Sequence, residues 1–226
     1  MNETASQSLV RRRYPPFARE LWGLLGVAAA ITAALLVSPL SWLAALPGAA
    51  LFALVAFEAR DPHRDPEPLP LAIVAPCDGT ILDISDIDDP YLNRLAKRIR
   101  LRQPRFAVHS LFAPVEGKII EQWRHFKPGG YASITWWIRS DEGDDVVIEI
   151  TVPKIPFALQ LNYQPGERVG HGRRFGFSFF GASVLVLVPG NSLVEVEPGS
   201  SSVAARQVLA KLVHDQPVSA IDAAGK

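Results

Sequence analysis

The chain has 226 residues, with 23 basic and 23 acidic side chains, so its net charge is zero and nothing in the balance suggests a nucleic-acid partner. One cysteine, Cys77, excludes an intramolecular disulfide and a cysteine-cluster zinc site, and no metal site is expected. The 19 prolines favour short strands and turns over a helical bundle.

Residues 1–19 are polar and basic, with Arg11, Arg12, Arg13 and Arg19. From Leu21 to Phe57 no charged residue occurs, a run too long for a signal-peptide apolar region. Ser38-Pro39 and Pro47-Gly48 interrupt it. The pattern predicts a membrane helical hairpin over 20–57: a helix over Leu21–Val37, a turn near Pro39 to Trp42, and a second helix to Phe57. Trp22 and Trp42 stand where interfacial aromatics would sit. Arginines flank both ends of the hairpin and its turn carries no charge. The expected location is therefore the cell (inner) membrane, with the rest of the chain on the cytoplasmic side.

Residues 58–70 form a proline-rich, extended linker. Its Arg60 and Arg64 would lie beside the bilayer and meet anionic headgroups. From 71 to 203 short apolar runs alternate with turn signals every 8 to 15 residues, as in an all-β sandwich or barrel. The runs are Leu71–Ala75, Thr80–Ile84, Ile99–Arg102, Phe106–Phe112, Lys118–Trp123, Ala132–Ile138, Val146–Val152, Phe157–Asn162, Phe175–Phe180, Val184–Val188 and Leu193–Val196. Tyr91–Arg98 reads as a short helix or loop insertion. Residues 204–213 have helical spacing, with Ala204, Val208, Leu209 and Leu212 on one face. The remainder, to 226, reads as a tail.

The stretch Phe175–Pro189 reads as a strand pair punctuated by Gly176 and Gly181. Interior strand glycines mark bulges or close backbone approach. Few other polar groups interrupt apolar strands. Asp78 alone is an Asp-Gly turn residue, and His109 alone is a strand histidine. Read together, these segments resemble the phosphatidylserine decarboxylases, membrane-anchored pyruvoyl enzymes of phospholipid synthesis. Pro76-Cys77-Asp78-Gly79 resembles the family's Pro-Ala-Asp-Gly. Val108-His109 through Pro114 and Gly117 reproduces its Val-His-x-x-x-x-Pro-x-x-Gly. Arg60-Asp61-Pro62-His63-Arg64 resembles its Phe-Arg-Asp-Pro-x-Arg, and Phe180-Gly181 matches its self-cleavage segment. The resemblance covers most of 20–205.

It implies a specific chemistry. A serine after the glycine attacks the preceding carbonyl, with a histidine as base and an aspartate orienting it. The chain is cut and the serine becomes a pyruvoyl group, so no added cofactor is needed. By position, Asp78 is the orienting acid and His109 the base. Ala182 stands where the nucleophile belongs and has no oxygen, while Ser183 follows one residue late. Consecutive strand residues face opposite ways, so Ser183 would need a bulge to reach His109. The family's arginine shortly after the histidine is replaced by Phe112, and its basic pair before the Gly166-Glu167-Arg168 turn is missing. Gly199-Ser200 lies in a turn beyond the catalytic strand and is assigned no chemistry.

The leading reading is therefore a divergent member that does not cleave itself, a pseudoenzyme that binds membrane phospholipid or regulates an active paralogue or a homo-oligomer. The alternative is an active decarboxylase that uses Ser183 in a shifted register. A third reading, a biotinyl or lipoyl-like module, rests on Pro165-Gly166-Glu167-Arg168-Val169. It lacks the methionine usually found beside the modified lysine, since the only methionine is Met1.

Overall fold

The computed structural model describes residues 17–37, 42–62, 64, 66, 69–156 and 158–213. The chain divides into two compact units, 1–64 and 65–226. The boundary falls inside the proline-rich linker. The turn expected at Pro39 and the tail beyond 213 lie outside the described residues.

In the first unit a short 3-10 turn, Arg19–Leu21, leads into α1 (Trp22–Val37), and a second, Trp42–Ala45, leads into α2 (Leu46–Glu58). Arg19–Val37, at 19 residues, is long and apolar enough to cross a membrane. The helix expected to run to Phe57 is shorter than its sequence suggests, because α2 has 13 residues. Straight, those rise about 20 Å against about 30 Å of bilayer hydrocarbon. Residues 42–45 wind as the tighter 3-10 form instead. Pro47 does not interrupt α2 but begins it, at a position where its missing N–H costs no helical bond. The helices pack closely, since a Cβ on Gly48 would stand 3.1 Å from the Thr32 Cα. The ends of the pair meet, with Ala18 N–H donating to Ala59 O at 2.7 Å and Phe17 bridging to Arg60.

The second unit is all β. Its main sheet has eight antiparallel strands: β2 (Gly79–Asp88), β3 (Leu95–Arg102), β5 (Gly117–Lys127), β6 (Tyr131–Ser140), β7 (Asp145–Pro153), β9 (Arg168–Val169), β11 (Ser183–Pro189) and β13 (Ser201–Ser202). Their spatial order is β13-β2-β3-β11-β7-β6-β5-β9. Two three-stranded sheets complete the domain. One has the order β4-β10-β8, formed by Ser110–Phe112, Arg174–Ser178 and Leu159–Leu161. The other has the order β1-β14-β12, formed by Ala72–Val74, Val208–Lys211 and Leu193–Val194.

Two expectations are corrected. Residues 204–213 do not form a helix. Ala205 adopts φ +60°, Val208–Lys211 is a strand, and Leu209 and Ala210 are buried by pairing with β1 and β12. Tertiary pairing overrides a helical spacing that rested on two turns. The Tyr91–Arg98 segment is a turn followed by the start of β3, in which inward Ile99 and Leu101 alternate with Arg98, Arg100 and Arg102.

One core cluster joins the sheets. Ile81, Ile99, Leu101, Val184, Val186, Ile148, Ile150 and Trp136 of the main sheet meet Phe175 and Leu111 of the second and Ile73 and Leu209 of the third. On the other face of the main sheet, Leu187, Val147 and Ala96 are covered by Tyr91, Leu92 and Trp137. β11 is thus apolar on both faces, which is why Val184–Val188 is an unbroken apolar run.

Candidate functional site

The site is built around the end of β3. Arg102 pairs with Thr80 on one side and with Ser183 on the other. The Asp78-Gly79 turn and the 181–183 segment are therefore the two flanks of one strand end. Gly79 is pressed against Arg102, where a Cβ would stand 2.0 Å from the carbonyl oxygen. No side chain fits there, so the Asp-Gly pair is a packing requirement as well as a turn signal.

Gln103, the next residue, gathers the remaining segments. Its N–H donates to Ala182 O at 2.8 Å. Its Nε2 donates to Val108 O at 2.9 Å, and its Oε1 accepts from Ser178 Oγ. Ser178 N–H in turn donates to His109 O at 2.9 Å. Gln103, Ser178 and His109 are all buried. A buried amide with these partners fixes the segment that carries His109, just before β4, relative to the 181–183 segment. The His109 ring lies 5.7 Å from the Phe177 ring, centroid to centroid, inside the apolar wall.

Asp78 is held by the C-terminal part of the chain. Its Oδ1 accepts from Ala204 N–H at 2.8 Å, and the preceding Pro76 O accepts from Phe112 N–H at 2.8 Å. Asp78 thus sits on a segment tied to the strand that begins one residue after His109. Cys77 beside it is buried, and burial, aided by the Asp78 charge, pushes its thiol pKa up.

Phe175–Pro189 is not a strand pair. β10 belongs to the sheet with β4 and β8, and β11 lies between β3 and β7 in the main sheet. The chain passes from one sheet to the other over Phe179–Ala182. Gly181 makes the passage at φ +74°, and a Cβ there would stand 2.6 Å from Gln103 O. Both the dihedral and the contact demand glycine. Ala182 is 7% exposed and packs into the core cluster with Val184 and Val186. Ser183 is exposed on the opposite face. β11 pairs with β3 and with β7 from Ser183 onward without a register shift on either side.

The structure therefore brings the Asp78, His109 and Ala182 segments to one place and leaves the Ser183 side chain on the other face of the sheet. Arg60 turns back on α2, its Nη1 donating to Phe57 O at 3.1 Å and its guanidinium 3.8 Å from the Phe57 ring centre. Arg64 is half-buried in the same unit.

These are the features of a recognised group of proteins. The chain is 36% identical over 213 residues to a phosphatidylserine decarboxylase proenzyme of Nitrosomonas europaea, covering 88% of this chain and 96% of the relative. Against the proteins of the same name from Nitrosomonas eutropha and Burkholderia lata the identities are 35% and 32%, again over 88% of this chain. The chain belongs to the phosphatidylserine decarboxylase family. No family model and no solved structure matched it.

Within that family the sequence reading missed three residues. Gln103 and Ser178 carry no motif; Ser178 is a polar residue inside an apolar run, while Gln103 stands among arginines with no local signal. Arg174 lies opposite Phe112 across the β4–β10 pair and donates from Nε to Ser110 Oγ at 3.0 Å. It places a guanidinium on the strand that follows His109, across from the position where the family resemblance calls for an arginine.

Proposed function

We propose that this chain is a membrane-anchored phosphatidylserine decarboxylase relative that stays uncut and binds phospholipid without decarboxylating it. The observation that carries this reading is the pair Ala182 and Ser183. The buried, site-facing position has no hydroxyl, and the available hydroxyl is exposed on the far face of a strand in unbroken register. The residues present do not fit a pyruvoyl group made from the chain itself, so no decarboxylation step is derived for it. The anchor is the helical unit, with its arginine-flanked ends on the cytoplasmic side of the inner membrane and the β domain beside them. A role beside a cleaving relative or a second copy of the chain is compatible with the same site.

The test is intact mass under denaturing conditions, together with a carbon dioxide release assay on phosphatidylserine. One chain of 24.7 kDa and no release are expected. A C-terminal fragment starting at position 183 and blocked at its N-terminus would overturn the reading and establish the active alternative. A reporter fused after Lys226 should act as cytoplasmic; activity outside the inner membrane would reject the orientation.

A further inference from the structure

The strand directions place the site at one end of the main sheet. β3 finishes there, β11 and β6 start there, and β5 and β7 end there. The loops at that end are residues 102–108, 124–133, 153–156 and 179–183. They contain Arg102, Arg105, Arg124, Lys127 and Lys154, while the adjoining turn carries Asp78, and Lys127 is paired with Glu149. The opposite end carries Asp86, Asp88 and Asp89 in one connection and Asp141, Glu142, Asp144 and Asp145 in another. A chain of zero net charge is thus polarised along its β domain.

The basic end is also where the domain exposes its rings. Phe106, Phe126, Tyr131 and Phe180 are the exposed phenylalanine and tyrosine side chains among the described residues of the β domain, and all four are here. Phe126 is 77% exposed and Phe106 59%. Cations stand beside them, with Lys154 Nζ 4.4 Å from the Phe126 ring centre and the Arg105 guanidinium 5.9 Å from that of Phe106. Ile155 adds an exposed aliphatic tip. Between the ends of β3 and β5 lie four inter-strand spacings, roughly 20 Å of rim.

We propose that this rim docks the β domain onto an anionic phospholipid surface, with Phe106, Phe126, Tyr131, Ile155 and Phe180 entering the interfacial layer and the arginines and lysines meeting phosphates. The inference rests on the lipid-binding reading above and names the surface that does it. Aromatic rings interleaved with cations suit a bilayer interface, where one side of each ring is apolar and the other wet. A two-fold contact between copies through this end would bring like charges together, which disfavours self-association there. The Gly181–Ala182 segment lies within the rim, so docking would bring headgroups to the site.

The test uses the full chain reconstituted in vesicles, so that the helical unit is inserted in every sample. A polarity-sensitive fluorophore is attached at Phe126→Cys, and separately at Asp141→Cys on the acidic end. Cys77 is buried and its thiol pKa is raised, which keeps it from competing for the label. With phosphatidylglycerol in the vesicles, spin-labelled lipid should quench the probe at 126 and not the probe at 141. Quenching at 126 should be weaker in pure phosphatidylcholine. Adding Arg105→Gln and Lys154→Gln should weaken docking about fivefold for each charge removed. Equal quenching at both probes, none at 126, or a signal that follows protein per vesicle instead of lipid charge would overturn the proposal. Intact mass of the same samples reports cleavage separately, so a rim that stays in water leaves the uncut-chain reading standing.

Discussion

Ala182→Ser adds one oxygen at the position that the family resemblance assigns to the nucleophile. The site is tight. The side chain is 7% exposed, and the backbone on either side is fixed by Gly181 at φ +74° and by the Gln103 N–H bond to Ala182 O. A buried hydroxyl without a partner costs about 1–3 kcal/mol. For a protein of this length 1 kcal/mol corresponds to about 2–4 °C in Tm. The variant should therefore melt no more than about 12 °C below the parent, and less if the hydroxyl finds the histidine. With a hydroxyl facing the interior, slow and partial cleavage between Gly181 and the introduced serine is expected, read as a new fragment running from position 182 to Lys226. Adding His109→Ala or Asp78→Ala should abolish it. A folded Ala182→Ser protein that remains whole for days would show that the site has lost more than its hydroxyl. Cleavage that continues without His109 would remove the base assignment.

Gly181→Ala should be poorly tolerated, because its Cβ would meet Gln103 O at 2.6 Å and left-handed φ adds about 1–2 kcal/mol; a Tm within a degree of the parent would contradict that geometry. Gln103→Leu should lower stability by about 1–3 kcal/mol in denaturant melts, since it strands the Val108 carbonyl and leaves the Ser178 hydroxyl only the long contact to His109 O. Adding Ser178→Ala should recover part of the loss, and full additivity would argue against the shared network. Cys77 should resist alkylation in the native protein and react on unfolding, as followed by mass. His171 has its pKa lowered below 6.5 by burial, opposed by Glu116. The unfolded chain then binds the proton more readily, so stability falls as pH drops through and below the unfolded value. His171→Gln should flatten that slope, and an unchanged slope would reject the assignment.

Much of this was legible before the structure, for identifiable reasons. The β domain announced itself through short apolar runs between turn signals, such as Val146–Val152 within β7, while Asp78, His109 and Ala182 stood out through the family resemblance alone. What could not be read was pairing across distance. Phe175–Pro189 looked like a strand pair because a glycine turn joins two apolar runs. Nothing local says that the runs belong to different sheets. Residues 204–213 have two turns of helical periodicity, and only their partners β1 and β12 make Val208–Lys211 a strand. Gln103 is invisible for the same reason, since its importance lies in bonds to residues 108, 178 and 182. In α2 the start was misplaced because the helix was read through Pro47, which in the structure stands in its first turn.

The segment beyond Gly181 supplies β11, β12, β13 and β14. β11 is laced between β3 and β7, β13 edges β2, and β14 lies beside β1. A break in the covalent chain at 181 would release almost nothing, because the downstream piece would stay sewn into two sheets. Cutting is therefore a chemical event with little mechanical consequence for this fold. By the same token, a chain that never cuts loses no architecture. A chain without a hydroxyl at this position keeps the shape, the core and the surfaces of the fold.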